Sequence, residues 1–575
     1  MTSTEIPRRV PRTAPTPRSR VIEGFVAPRF RDVASRESAG PRKVEAAATW
    51  KAAVALCKPQ LLTAAVIGAV SAYLMALLLK GPAIFSTLYW YPDVPEGPYL
   101  GNALIHAASG GQLFLPTQTA ALTLGMDGVV AGLPFHRALW VAIGPLCAVL
   151  MLLAMWRAAA LATGRRPALL GAAFTLSVPP VVLWQLVFPD AHVSTFLCTA
   201  VLAWYAVDLA RSARRPRSQL LITIATGVFS GVCVASDPQM WPAAIIPLLA
   251  TFILVVILAR DHEAARYLAH GVVLVAITVV VTLAMLQGLH SLNATLINPL
   301  PLPTCDPQGV RGAVDAASST FVAMFTGSWY SWPSAWTYVF PLVAGVGGAI
   351  IVIRECVRVS RSGSRNDARA IYAIYWACSA VALFGALLFS GYGGSTLNGH
   401  YVNGVYLSFA AMVPLLASWR RWGRATAVVI TVAVAVRGAV GLLAMPAHLF
   451  PGPAYADLPR LTQALQSHHL TRGYAGYWDS HGVTWNTDDR VTVLPVATCG
   501  APWNPLLCRY TYSTTAWYHP TKSETFLVTH RDCYFAPTLC VEAAPPMLGD
   551  PKETFDVGRL KVYVYSYDLA TKLQL

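Results

Sequence analysis

Charge is the first scarcity. Only 12% of the 575 residues are charged and 55% are hydrophobic, whereas a soluble globular chain carries roughly 25% charged residues. That balance excludes a chain folded wholly in water and places most of it in lipid. There is no Cys-x-x-Cys pair, no glycine-rich phosphate loop and no His-Glu-x-x-His. Their absence removes the usual sequence signs of dithiol redox work, nucleotide cradling and zinc-dependent hydrolysis. The first 50 residues contain no short apolar core ending in a small-residue cleavage site, so they do not read as a signal peptide. What the chain has in excess is positive charge, +15. The arginines fall in short clusters between apolar runs, which is the pattern of cytoplasmic loops rather than of a nucleic-acid surface.

Residues 1–58 hold 12 Lys/Arg against 5 Asp/Glu and are rich in Pro, Arg and Ser. Such a segment buries too little apolar surface to fold alone and reads as a disordered, basic cytoplasmic tail. Residues 59–445 read as a transmembrane body. About eleven apolar runs approach the roughly 20 residues that span a bilayer: 60–80, 137–157, 168–187, 191–210, 219–236, 241–259, 268–289, 335–354, 371–390, 404–418 and 425–445. Counted from a cytoplasmic N-terminus, the turns holding Arg165–Arg166, Arg211–Arg217, Arg260–Arg266, Arg354–Arg369 and Arg420–Arg424 all fall inside. The turns rich in Asp, His and Tyr all fall outside, with long outer loops at 81–136 and 290–333. Eleven spans leave residues 446–575 outside, as an extracytoplasmic domain.

That last region changes character. An amphipathic helix is expected at about 457–469. Short β-type runs follow at Val491–Leu494, Thr525–Val528 and Leu560–Tyr567, broken by Asp488-Asp489, Pro and Gly as hairpins require. The expectation is a β-rich (α+β) domain on a mainly α polytopic membrane protein. Four cysteines lie there in two close pairs, and short local loops favour Cys499–Cys508 with Cys533–Cys540. Disulfides suit an oxidising compartment, which agrees with the topology.

The stretch that orders the rest is Leu88-Tyr89-Trp90-Tyr91-Pro92-Asp93-Val94-Pro95-Glu96-Gly97-Pro98-Tyr99. It opens the first outer loop with two carboxylates among aromatics and prolines. Asp190 and Asp237 fall at later turns on the same side, with His192, His400 and Tyr401 at the same level. A carboxylate near a bilayer is costly unless hydrated or partnered, so several at one face suggest a shared pocket. Group transfer to a hydroxyl needs a base, and a phosphate leaving group needs cationic or hydrogen-bonding partners. Asp93, with Glu96 and Asp237 beside it, suits the catalytic role. Asp190, His192 and Tyr91 suit positioning of acceptor or donor, and His400, Tyr401, Arg137 or Arg311 suit the phosphate. Each is also readable as a solvated loop residue, and a transporter or flippase of lipid-linked sugars, or a non-catalytic envelope-assembly protein, are the rival functions.

An Asp-bearing first outer loop on a polytopic body with an outer C-terminal domain resembles the GT-C class of polyprenyl-phosphate-sugar-dependent glycosyltransferases. Patches of sequence resemble bacterial GT-C-like proteins as well: Tyr91-Pro92-Asp93 with Gly110-Gly111, Ser236-Asp237-Pro238, Gly476-Tyr477-Trp478-Asp479 with Thr484-Trp485, and Val562-Tyr563-Val564-Tyr565-Ser566-Tyr567-Asp568. The resemblance implies an inverting transfer from a polyprenyl-phosphate-linked sugar donor to an envelope glycan or lipid acceptor, with a divalent metal ion optional and no nucleic acid partner. It implies an acid of the first loop as base. Two departures stand out: Val94-Pro95 separates acids that many of these enzymes pair, and His400-Tyr401 stands where many carry Arg-Tyr. In the C-terminal region Trp478 and Trp485 are the candidates for stacking on sugar faces, against the alternative that they fill the domain's core.

Overall fold

The computed structural model describes residues 59–90, 98–103, 111–116, 133, 136–187, 193–211, 215–259, 265–297, 307–326, 335–362, 368–389, 403–419, 421–444, 453–501, 504–530 and 541–574. The helical body comprises α1 (Pro59–Trp90), a short helix at 98–103, α2 (His136–Thr163), α3 (Arg165–Leu176), α4 (Pro180–Val187), α5 (Val193–Arg211), α6 (Pro216–Ser236), a π-turn (Trp241–Ile245) running into α7 (Ile246–Ala259), α8 (Ala265–Ser291), α9 (Pro307–Thr326), α10 (Ala335–Ser362), α11 (Ala368–Phe389), α12 (Gly404–Ala417) and α13 (Arg421–Ala444). Two strands interrupt it, β1 (Leu113–Pro116) and β2 (Ala294–Ile297). The C-terminal lobe adds α14 (Pro453–Ser467), β3 (Arg472–Gly476), α15 (His481–Asn486), β4 (Thr492–Ala501), β5 (Asn504–Arg509), β6 (Ser513–Thr514), β7 (Thr525–His530), β8 (Glu553–Val557) and β9 (Leu560–Tyr565).

Among the described residues seven helices are long and apolar enough to cross a membrane: Gln60–Ile84, Ala138–Thr163, Pro216–Ser236, Trp241–Leu258, Ala265–Ser291, Ala368–Phe389 and Arg421–Ala444. Large apolar side chains stand exposed along them, Leu78 at 71% and Val381 at 73%, as expected for surfaces that face lipid. The chain is a multi-pass membrane protein, mostly helical, with a C-terminal β lobe. The expected count of eleven is not reached by these criteria, and one reason is visible in the chain. The run expected at 168–187 is split by Ser177-Val178-Pro179-Pro180, because a proline removes an N–H and disfavours helix before it. Carbonyls freed there still need donors in an apolar medium. The Tyr406 hydroxyl of α12 donates to Phe174 O at 2.9 Å, and that of Tyr73 in α1 donates to Val178 O at 2.6 Å. The two tyrosines hold the broken segment between neighbouring helices.

Small residues allow a close helix pairing. Gly227 and Gly231 on α6 face Ile277 and Val281 of α8, and Thr278 and Thr282 donate across to Gly227 O and Gly231 O at 3.3 and 3.1 Å. At the end of the body remote from the lobe, the arginines make protein contacts as well as carrying charge. Buried Glu355 accepts from Arg358 and Arg369, each at 2.9 Å, and Arg354 lies 3.9 Å over the ring of Trp419.

The lobe is built on a six-stranded sheet in the order β5-β4-β3-β7-β9-β8. Its central strand β3 runs parallel to both β4 and β7, and the outer pairings are antiparallel. The turn residues read from the sequence as hairpin breaks therefore include one that does not close a hairpin. Asp488 and Asp489, both with positive φ, close α15 and lead into β4; the β8–β9 pair is a true two-residue hairpin through Gly558-Arg559. Helix α14 covers the sheet with Leu458, Leu461 and Leu465, all buried, at the spacing an amphipathic helix requires. The Cys499–Cys508 disulfide is formed across the β4–β5 pair, with a Cα–Cα distance of 6.0 Å. Cys533 and Cys540 lie outside the described residues.

Candidate active site at the seam between lobe and helices

Two apolar clusters join the lobe to the body. The first gathers Tyr73 and Ile84 of α1, Trp140 and Val141 of α2, and Ala439 and Leu442 of α13. It continues into Leu458, Leu461 and Leu465 of α14, Val483 and Trp485 of α15, and the sheet residues Val493, Phe526 and Val562. The second gathers Leu100 of the 98–103 helix, Leu113 and Leu115 of β1, Ala235 of α6, Leu289 of α8 and Ala294 of β2, with Tyr512 and Trp517 of the lobe packed on it. Backbone pairing follows the same path. β1 pairs parallel with β2 and antiparallel with β6, making a small sheet from the first loop, the second loop and the lobe. Arg509 lies 3.5 Å over Phe114 of β1, and burial pulls its guanidinium below the usual range. The loops expected at 81–136 and 290–333 are thus partly structured: α1 continues to Trp90, and the second loop contains β2 and α9.

Asp237 stands at this seam. It follows α6 directly, two residues beyond Ala235 of the second cluster, and is 3% exposed. Its Oδ1 accepts from the Gln239 backbone N–H at 2.9 Å, and its Oδ2 accepts from the Thr195 hydroxyl of α5. The local sequence explains the turn: an Asp followed by Pro ends a helix and caps its own chain two residues on. Of the acids expected at this face, Asp237 is the one whose place is described.

The described flanks of the first-loop stretch both meet the lobe. α1, which ends at Trp90, shares the first cluster with α15. On the other flank, Tyr99 donates to Asp489 Oδ1 at 2.8 Å and stacks on His481 at 5.3 Å. It also meets Trp485 edge-on at 6.2 Å.

A second polar group was not read from the sequence. Asp479, His481 and His530 are 3%, 2% and 4% exposed, at and beyond the carboxyl ends of the parallel neighbours β3 and β7. Asp479 Oδ1 and the Nε2 atoms of both histidines have no hydrogen-bond partner among the described residues. Burial pushes the Asp479 carboxyl up to about 6, with His530 pulling the other way, and holds His481 neutral by lowering it to about 3. In open sheets with parallel strands, the carboxyl ends where the chain switches direction are the usual place for a ligand. Gly476-Tyr477-Trp478-Asp479 carried the signal, but the aromatics drew attention and the histidines lie far apart in sequence.

Asp479 also has a consequence for stability. A raised carboxyl holds its proton more tightly in the folded lobe than in the unfolded chain, so its favourable contribution is complete below pH 3.8 and is lost as pH rises through about 6. The penalty above that window is of the order of 3 kcal/mol. Asp479→Asn is expected to flatten the stability profile between about pH 4 and pH 6.5 and to raise stability at pH 7.5, read by thermal unfolding in detergent. A profile as steep as the parent's would show that Asp479 does not govern it.

The other expected site residues divide as follows. Asp93, Glu96, Tyr91, Asp190, His192, His400 and Tyr401 lie outside the described residues. Arg137 falls in the first turn of α2, and Arg311 is exposed on α9. Trp485 is corrected as a glycan-stacking residue: it is 3% exposed and packs in the first cluster, where its large ring is worth more as core. Trp478 is half-buried against Tyr477. Among the described residues, no group of three or more His, Cys, Asp or Glu side chains is placed to hold a metal ion.

No family model matches the chain, and no curated protein matches it. Solved structures do show a likeness. ArnT from Cupriavidus metallidurans, bound to undecaprenyl phosphate, is 14% identical over 85% of this chain and 97% of its own, with a TM-score of 0.46. The Archaeoglobus fulgidus oligosaccharyltransferase, in complex with Zn and sulfate, is 13% identical over 74% of this chain, with a TM-score of 0.44. The chain spans 62% of that enzyme's length. AglB from the same organism, in complex with an inhibitory peptide and a dolichol-phosphate, is 11% identical over 73% of this chain and 64% of its own, with a TM-score of 0.40.

Proposed function

We propose that this chain is a GT-C-type glycosyltransferase that moves a sugar from a polyprenyl-phosphate donor to an envelope glycan or lipid acceptor. In this reading the lobe is extracytoplasmic, the N-terminus is cytoplasmic, and the reaction runs at the outer face of the bacterial cytoplasmic membrane. The observation that carries it is Asp237, a carboxylate held at 3% exposure where the end of a membrane-length helix meets both loops and the lobe. A buried acid at that depth is expensive and needs a use. A lipid-linked donor places its phosphate near the ends of the spanning helices, while a polar acceptor arrives from the aqueous side, so a seam between lobe and helices serves both.

The chemistry then runs as an inverting displacement. Asp93 takes the proton of the acceptor hydroxyl as that oxygen attacks the anomeric carbon. The bond to the phosphate oxygen breaks on the opposite face, and polyprenyl phosphate leaves with the electron pair. His400, Tyr401, Arg137 and Arg311 are the candidates to receive the phosphate charge. Asp237, with Glu96, Asp190, His192 and Tyr91, positions the reactants, and Asp479, His481 and His530 offer hydroxyl-binding groups on the lobe side.

The test is incubation of the purified full chain, in lipid nanodiscs, with a radiolabelled polyprenyl-phosphate-sugar and an envelope acceptor fraction. Release of free polyprenyl phosphate with label passing to the acceptor is the expected result. Movement of the intact lipid-linked sugar between leaflets of proteoliposomes, with no release, would replace this reading by a transporter.

A further inference from the structure

We infer that Tyr99 is a positioning residue through which the lobe fixes the 98–103 helix, the segment that follows the proposed base in sequence; this rests on the transferase reading above. Three of its partners, His481, Trp485 and Asp489, are four residues apart along α15 and its closing turn, so Tyr99 lies along one face of that element. The turn is built to present Asp489. Asp488 and Asp489 adopt φ of 53° and 58°, a left-handed pair that L-residues rarely adopt, and Asp489 N donates to Thr484 O at 3.2 Å. Strained backbone of this kind persists where the surroundings impose it. Here it delivers a carboxylate oxygen to one phenol.

The chain on either side of Tyr99 explains why this matters. Asp93 and Glu96 precede it by six and three residues. The next residue, Leu100, enters the cluster that holds Ala235, two residues before Asp237. Tyr99 and its neighbour Leu100 therefore tie the lobe and the helix end bearing Asp237 to a short helix that follows the proposed base in sequence. His481 is suited to lie under Tyr99, because burial keeps that imidazole neutral and the stacking surface uncharged across the physiological range. A displacement of about 1 Å at a reacting group costs on the order of 10²-fold in rate, so a clamp at this position acts on turnover and not on donor affinity.

The test is a double-mutant cycle on the full chain with Tyr99→Phe and Asp489→Ala, plus Asp489→Asn as the conservative variant that keeps an acceptor oxygen. Tyr99→Phe and Asp489→Ala are each expected to lower kcat by about 10- to 100-fold, with KM for the polyprenyl-phosphate-sugar within about threefold. The double variant is expected to be no worse than either single one, since both remove the same bond, and Asp489→Asn is expected to restore most of kcat. Amide exchange of peptides covering 91–103 is measured in parallel, and should quicken in Tyr99→Phe and Asp489→Ala but not in Asp489→Asn. Unchanged exchange in both would overturn the clamp, and quickened exchange with unchanged kcat would overturn its role in turnover. If the parent shows no transfer at all, the transferase reading fails and takes the positioning role with it, while exchange still decides the clamp.

Discussion

Asp93→Asn is expected to lower sugar transfer by at least about 10²-fold, the lower end of what a general base contributes. The substitution keeps shape and hydrogen-bonding capacity and removes basicity. If Asp93 takes the acceptor proton, the oxygen must then attack as a neutral hydroxyl with no group to receive its proton. Membrane insertion and yield should match the parent, because an outer-loop acid supports little apolar packing, whereas the described lobe–body joints are two apolar clusters and the β1–β6 pairing. Donor binding should also survive, since the phosphate is assigned to cationic and hydroxyl groups elsewhere. Glu96→Gln is expected to be milder, with Asp190→Asn and Asp237→Asn in between as positioning variants. Single-turnover transfer with a labelled donor checks the order. Activity of Asp93→Asn within a few-fold of the parent would remove its assignment and make Asp237 the next candidate.

The largest effect on stability is expected from Asp568→Ala. Asp568 is 2% exposed and its carboxylate is a hub. Oδ1 accepts from the Tyr474 hydroxyl at 2.8 Å and the Ala570 N–H at 2.9 Å; Oδ2 accepts from the Thr521 N–H and hydroxyl, both at 2.7 Å. Burial alone would raise this carboxyl, but those hydrogen bonds outweigh it and hold it below the ordinary value. Removing the carboxylate strands the Tyr474 hydroxyl inside the sheet and two backbone donors beside it. Each stranded buried donor costs about 1–3 kcal/mol, so the lobe should lose roughly 3–5 kcal/mol. Because the folded value is depressed, the stabilisation is present above pH 3.8 and is lost as pH falls below it. Asp568→Asn should recover part of the loss, since an amide accepts on one side only. Denaturant unfolding followed by tryptophan fluorescence checks this, and a loss under about 1 kcal/mol would show that the hub is redundant.

Asp568 also marks what could and could not be read in advance. The closing Tyr-Val-Tyr-Ser-Tyr-Asp pattern announced a strand, and β9 forms at Leu560–Tyr565. Nothing local announced that the acid after it would reach Tyr474, 94 residues earlier. The same division holds elsewhere. Apolar length and arginine spacing are local properties, so most of the spanning helices were legible. The interruption at Ser177–Pro180 was written in two prolines, yet its tolerance depends on Tyr73 and Tyr406 from distant helices. Alternation and turn residues gave strands but not partners: β3 pairs parallel with β4 across the α15 crossover and parallel with the later β7, and no hairpin signal encodes either. The local pair Cys499 and Cys508 was readable from its spacing because the two cysteines fall on adjacent strands of one hairpin. Asp237 was singled out as an acid beside a proline at a helix end. Asp479, His481 and His530 were not, because only the sheet brings the ends of β3 and β7 together.

The central claim is that a lipid-linked sugar is handled at the seam between the lobe and the helix ends. The most direct measurement is photolabelling of the purified chain with a polyprenyl-phosphate-sugar carrying a diazirine next to the phosphate, followed by peptide mapping. The account predicts labelled peptides from the lobe-end turn after α6 around Asp237, from 98–116, and from 477–489, competed away by unlabelled donor. Specific labelling confined to the opposite end, at Arg354–Arg369 and Trp419–Arg424, would contradict it.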